Sequence, residues 1–87
     1  MEKSIYTREY AAFLRLLRRV REDAGMTQVG LAEALEKNQS YVSKLERGET
    51  RLDVIQLRTV LAALGTELPA FSRRLEAEIA RGEETTS

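Results

Sequence analysis

Apolar residues recur along this chain three and four apart, with polar residues between them. No stretch alternates with the period of two that marks a half-buried strand. Tyr10, Phe13, Leu14, Leu17 and Val20 share one helical face, and Gly25 stands where that helix would stop. The spacing predicts a first helix from about Arg8 to Ala24, capped by Thr7, with Glu9 near the positive end of its dipole. Leu31, Ala32 and Leu35 define a short second helix, which Thr27 caps and over whose first turn Met26 and Leu31 are spaced to pack. Val42 and Leu45 define a third, running from its cap Asn38 to Arg47 with Gly48 just beyond. Asp53 and Gln56 have the spacing of a capping box for a fourth helix, flanked by Leu52 and Leu57. Its buried stripe is Leu57, Val60, Leu61 and Leu64, and Gly65 ends it. Pro69 suits the first turn of a fifth helix carrying Leu68, Phe71, Leu75 and Ile79 on one side, with Gly82 as its stop. The reading is an all-α chain of five helices in a single domain over 1–87, with a core of 8–81 and a flexible acidic tail at 82–87. Residues 1–6 carry no periodic signal and are expected to fray.

The stretch from Gln28 to Gly48 carries the candidate function. Its two short helices are joined by a few polar residues. On the second of them Gln39, Ser40, Ser43 and Lys44 gather opposite the apolar pair Val42 and Leu45. One half of this unit must be tucked in while the other shows a polar edge outward, which is the layout of a helix-turn-helix.

Composition narrows the class. The chain is 43% hydrophobic and 32% charged, too apolar for a disordered segment and too polar for a membrane protein. It has no apolar run long enough to span a bilayer and no signal-peptide pattern at its start. Without cysteine there is neither a disulfide nor a thiolate metal site, which suits the cytoplasm. Without histidine the commonest general base and the usual zinc ligands are gone too. The acids fall on exposed helix positions and caps, and no phosphate loop or metal-ligand cluster is present, so neither an enzyme nor a bound cofactor is expected. Net charge is zero but unevenly spread. Residues 1–75 hold 13 Lys and Arg against 10 Asp and Glu, while from Glu76 onward four acids face only Arg81. A locally basic face is what phosphate contact requires, so overall neutrality does not exclude nucleic acid.

At the level of motif the sequence resembles the Xre family, the DNA-binding domain of the lambda repressor and Cro type. The match is T-Q-x-x-L-A-x-x-L-x-x-x-Q-S-x-V-S-x-L-E-R-G, held by Thr27, Gln28, Leu31, Ala32, Leu35, Gln39, Ser40, Val42, Ser43, Leu45, Glu46, Arg47 and Gly48. It continues into A-G-M before the motif and into R-L-D-V and A-L-G after it, covering roughly Leu14 to Leu68. The resemblance implies a lambda-repressor-like fold with its helix-turn-helix at the second and third helices, the third entering the major groove of double-stranded DNA. Two departures stand out. The family usually has glycine where this chain has Glu36, and a non-glycine residue in a left-handed conformation costs on the order of 1 kcal/mol, so a tighter, looser or shifted turn is expected. Gly30 inside the second helix costs about 1 kcal/mol against alanine.

On that placement the expected base-reading residues are Gln39, Ser40, Ser43 and Lys44. A glutamine amide pairs bidentately with adenine, lysine donates to guanine acceptors, and serine serves any base. The expected phosphate contacts are Gln28, Asn38, Tyr41, Arg47 and Arg51. Asn38 could equally be a plain cap and Tyr41 could pack on the surface, whereas Arg51 has no evident structural duty in the sequence. Arg15, Arg18 and Arg19 read as a solvated face. An acid at the end of a DNA-facing helix would repel phosphate. The resemblance implies instead that Glu46 pairs with Arg21, tying the first helix to the third. Useful specificity normally needs a twofold dimer on a palindromic site, so a homodimer and a repressor-type regulator are expected. The candidate interface is Leu68, Phe71, Leu75 and Ile79, with Leu68 and Phe71 mostly inward and Leu75 and Ile79 towards the partner. The rival reading is an antitoxin or adaptor module whose main partner is another protein, such as a toxin.

Overall fold

The computed structural model describes the backbone of residues 7–86 and the side chains of residues 7–82. Among the described residues there are five helices and no strand: α1 (Arg8–Asp23), α2 (Gln28–Leu35), α3 (Gln39–Arg47), α4 (Val54–Ala63) and α5 (Leu68–Thr86). Residues 1–6, expected to fray, lie outside the described range.

Local chemistry starts four of the helices at the expected places. The side chains of Thr7, Thr27 and Asn38 accept from the backbone N–H groups of Tyr10, Gly30 and Tyr41. Asp53 and Gln56 form both bonds of the capping box, at 2.7 and 2.9 Å. Each satisfies N–H groups that would otherwise be left without partners at a helix start. The ends are equally regular. Beyond each of α1 to α4, one residue in the left-handed conformation lets the next N–H reach back to a carbonyl in the last turn. The bonds are Met26 to Arg21, Lys37 to Ala32, Glu49 to Lys44 and Thr66 to Leu61, all 2.9 to 3.1 Å. The left-handed residue is glycine at three of these ends and Glu36, with φ 59, at the fourth. The turn between α2 and α3 therefore keeps the geometry that glycine would give it. It is not reshaped, and it carries the conformational cost of a Cβ in that region.

The expected stop at Gly82 does not occur. α5 runs through it to Thr86, so the segment expected as a flexible tail is helical backbone as far as that residue. A single helical glycine costs about 1 kcal/mol, which weakens a helix without ending it when no proline follows.

The core draws on all five helices: Leu16, Leu17 and Val20 from α1, Leu31 and Ala32 from α2, Val42 from α3, Val60, Leu61 and Leu64 around the end of α4, and Phe71 from α5. Each large side chain buried there contributes about 1.5–3 kcal/mol relative to exposure. On α1 the buried stripe includes Ala12 and Leu16 and is centred one step from the expected one; Tyr10, Phe13 and Leu14 are only half-buried. The ring of Phe13 meets that of Phe71 edge-on, with centroids 5.8 Å apart. α5 packs along α1 and against α4. Glu78 of α5 bridges Arg19 at 3.3 Å and Arg81 at 2.5 Å. α2 packs on α3 and α4, and α3 also touches α1, so the two short helices rest on a base formed by the longer ones.

Candidate nucleic-acid interface

α3 is amphipathic. Val42 and Leu45 are buried, and Gln39, Ser40 and Lys44 are exposed on the opposite side. Because Val42 is fully enclosed, the roll of α3 about its own axis is set, and with it the direction of the exposed edge.

Behind that edge lies a buried polar chain. The Arg21 guanidinium donates through Nε to Glu46 Oε2 at 2.6 Å and through Nη2 to Oε1 at 3.1 Å, while Nη1 donates to the Met26 carbonyl at 2.8 Å. The two side chains are 9% and 7% exposed. Their hydrogen bond holds the Arg21 guanidinium above its ordinary pKa against the opposing effect of burial. Glu46 Oε1 also accepts from Gln28 Nε2 at 3.0 Å, and Gln28 Oε1 accepts from Gln39 Nε2 at 3.0 Å. The direction of this chain follows from its inner end. An ionised carboxylate only accepts, so Gln28 must present its amide nitrogen inward and its oxygen outward, and Gln39 must then donate. Gln39 is left with its own Oε1 and one N–H facing solvent. Among the described residues, no buried side-chain nitrogen or oxygen lacks a partner.

The other candidates divide. Asn38 serves as the cap, its Oδ1 accepting from the Tyr41 N–H at 3.0 Å. Tyr41 packs partly against the core, with the Lys37 ammonium 5.3 Å from its ring centroid. Gln28 spends its amide on Glu46 and Gln39 and retains one free N–H. Ser43 is half-buried, and its Oγ accepts from Arg47 Nη1, so its hydroxyl is already engaged. Arg47 is also paired side-on with Glu49 at 2.9 and 3.2 Å, which raises the arginine's pKa and lowers the glutamate's. Arg51 does have a structural contact: its guanidinium lies 4.4 Å from the centroid of the Tyr10 ring, linking the α3–α4 connection to the start of α1. Neither the Tyr10 contact nor the Gln28 relay leaves a signal in the sequence, because both depend on how distant segments pack. The Glu49 pairing had a weak one, an acid two residues beyond an arginine across a glycine turn.

On α5, Phe71 is buried and Leu68 packs inward as expected. Leu75 joins them against the core instead of standing free for a partner, and Ile79 is half-buried. Exposed apolar side chains lie elsewhere, at Val29 on α2 and at Val54 and Ile55 at the start of α4. No helix among the described residues is long and apolar enough to cross a membrane.

This architecture, with two short helices at a left-handed turn and the polar face of the second turned outward, defines a helix-turn-helix domain. The Helix-turn-helix family model matches residues 17–71. The chain belongs to the Xre family of helix-turn-helix DNA-binding domains. Among solved structures, an Xre-family-like protein from Pseudomonas syringae pv. tomato str. DC3000 is 43% identical over 85% of this chain and 92% of that one, with a TM-score of 0.75. The clp gene regulator ClgR from C. glutamicum is 30% identical, covering 87% of this chain and 97% of that one, with a TM-score of 0.72. No curated protein matches.

Proposed function

We propose that this chain is a transcriptional regulator that binds double-stranded DNA sequence-specifically, as a homodimer on a palindromic operator, and acts as a repressor. The observation that carries the reading is the exposed edge of α3, where Gln39 is both solvent-facing and oriented by Gln28. Its free Oε1 and remaining N–H match the N6 donor and N7 acceptor of adenine in the major groove. Ser40 and Lys44 stand beside it, able to meet other bases, with Lys44 suited to guanine. Ser43 keeps its hydroxyl proton and a second lone pair, since Arg47 takes only one of its acceptor positions. The exposed start of α2, with the remaining Gln28 N–H, suits a phosphate, and Asn38, Tyr41, Arg47 and Arg51, which lie on α3 or flank it in the chain, are the further candidates for phosphate contact. A single α3 reads too few base pairs for useful specificity, which favours a twofold dimer. Ile79 is the interface candidate least committed to the monomer core.

Selection of bound sites from random duplexes tests the reading. The outcome expected is a two-fold symmetric site with half-sites about one helical turn apart. Gln39→Ala should relax preference at one base pair of each half-site at a discrimination loss of about 1–3 kcal/mol. DNA binding with unchanged preference would remove Gln39 from the recognition set. Ile79→Glu should give monomers by sedimentation, and an unchanged dimer would place the interface elsewhere. The exposed Val54 and Ile55 favour a second reading, a module whose main partner is another protein such as a toxin. Binding to random duplex that is absent or insensitive to salt would select it.

A further inference from the structure

Arg47 closes α3, and the chain then turns back on itself. The Gly48 N–H donates to the Leu45 carbonyl at 3.1 Å and the Glu49 N–H to the Lys44 carbonyl at 2.9 Å, with Gly48 at φ 81. This double closure fixes the backbone of Glu49 against the last turn of α3, and its carboxylate lies alongside the Arg47 guanidinium. Arg47 Nε donates to Glu49 Oε2 at 2.9 Å, Nη2 to Oε1 at 3.2 Å, and Nη1 to the hydroxyl of Ser43. Three of the five N–H donors of this arginine are therefore spent on the protein, on the face assigned above to DNA.

We propose that Glu49 is a brake on phosphate contact: it holds Arg47 on the protein and so lowers sequence-independent affinity, while the base-reading edge of Gln39, Ser40 and Lys44 stays available. The inference rests on the DNA-binding reading above. Two physical effects combine. A side-on carboxylate uses the same donors in the same fork geometry that a phosphate would use, so the two compete directly. A cation already neutralised by its own chain also releases no condensed counterion when it approaches DNA, and it drops out of the electrostatic part of the binding. Both side chains are 54% exposed, so the pair is weak enough for a phosphate to open at a well-matched site. Glu49 thereby favours complexes in which base contacts have already placed the backbone.

The test is the salt dependence of binding to a random-sequence duplex by the full chain, measured for wild type, Glu49→Gln, Arg47→Gln and the double variant. Release of Arg47 in Glu49→Gln should tighten binding and steepen the slope of log affinity against log salt by about 0.9, so that a fourfold rise in salt costs about 3.5-fold more affinity than in wild type. In the Arg47→Gln background the same substitution should change the slope far less, the remainder being the charge of Glu49 acting on Lys44. An equal change in both backgrounds would mean that Glu49 acts only as a free-standing repelling charge and would overturn the proposal, as would no change in either. If neither wild type nor any variant binds duplex, the regulator reading fails and takes the brake with it. Binding with additive effects removes the brake alone.

Discussion

Replacing Glu46 by alanine should be among the most damaging single changes available in this domain. The substitution removes the acceptor of two Arg21 bonds, at 2.6 and 3.1 Å, and of one Gln28 bond at 3.0 Å. Arg21 cannot escape to water, because it is a buried residue held in place by the Met26 carbonyl. Stranding a buried charge in this way costs about 3–5 kcal/mol. An 87-residue domain has about 4–13 kcal/mol of stability to lose, at ~0.05–0.15 kcal/mol per residue. In a domain of this size each kilocalorie moves the melting temperature by about 4–8 °C, so the expected drop exceeds about 12 °C. The pair is not thereby a large net stabiliser. Exchanging both partners for apolar residues, Arg21→Met with Glu46→Leu, should recover part of the loss: the desolvation of both charges disappears, but the Met26 carbonyl and the Gln28 amide lose their partners. If Gln39 reads DNA as proposed, the double variant should nonetheless bind it poorly, because Gln28 and hence Gln39 lose their orientation. Urea unfolding followed by circular dichroism, alongside DNA binding, separates the two effects. A Glu46→Ala domain within about 1 kcal/mol of wild type would refute the account of a buried, interdependent pair.

Three further outcomes are expected. Glu36→Gly should raise stability by up to about 1 kcal/mol, since it relieves a left-handed residue with a side chain at the turn, and a lower melting temperature would show that the Glu36 side chain has a compensating contact. Gly48→Ala should do the reverse by more than about 1 kcal/mol, because φ is +81 and the added Cβ would sit 3.0 Å from Leu14 Cδ1; the same unfolding experiment reads it. Glu49 has its folded pKa below the ordinary value, so what it contributes is complete above that ordinary value and fades as pH falls through the lowered one. With no histidine in the chain, melting temperatures should be level around neutrality and decline only in acid, and a step near neutral pH would point to a group not accounted for.

The helix starts were legible because caps are short-range chemistry: Thr7, Thr27, Asn38 and Asp53 each act within three residues of themselves. The Arg21–Glu46 pairing was legible only through the family pattern, since nothing local to either residue points to the other. What stayed hidden depends on tertiary placement. The burial of Leu16 belongs to a core shared by all five helices, the stacking of Arg51 on Tyr10 joins distant segments, and the Gln28–Gln39 bond exists only once α2 and α3 are docked. Gly82 misled for a simpler reason: a lone glycine weakens a helix but does not forbid it.

On the proposed reading of α3, the relay from Arg21 to Gln39 has a practical consequence for altering which operator is read. Gln39 shares its amide with the scaffold, so a new residue there must either replace the bond to Gln28 or leave that glutamine's oxygen to water. Ser40 and Lys44 have no part in the relay, and exchanging them should retarget the domain without disturbing the frame that holds α3 in place.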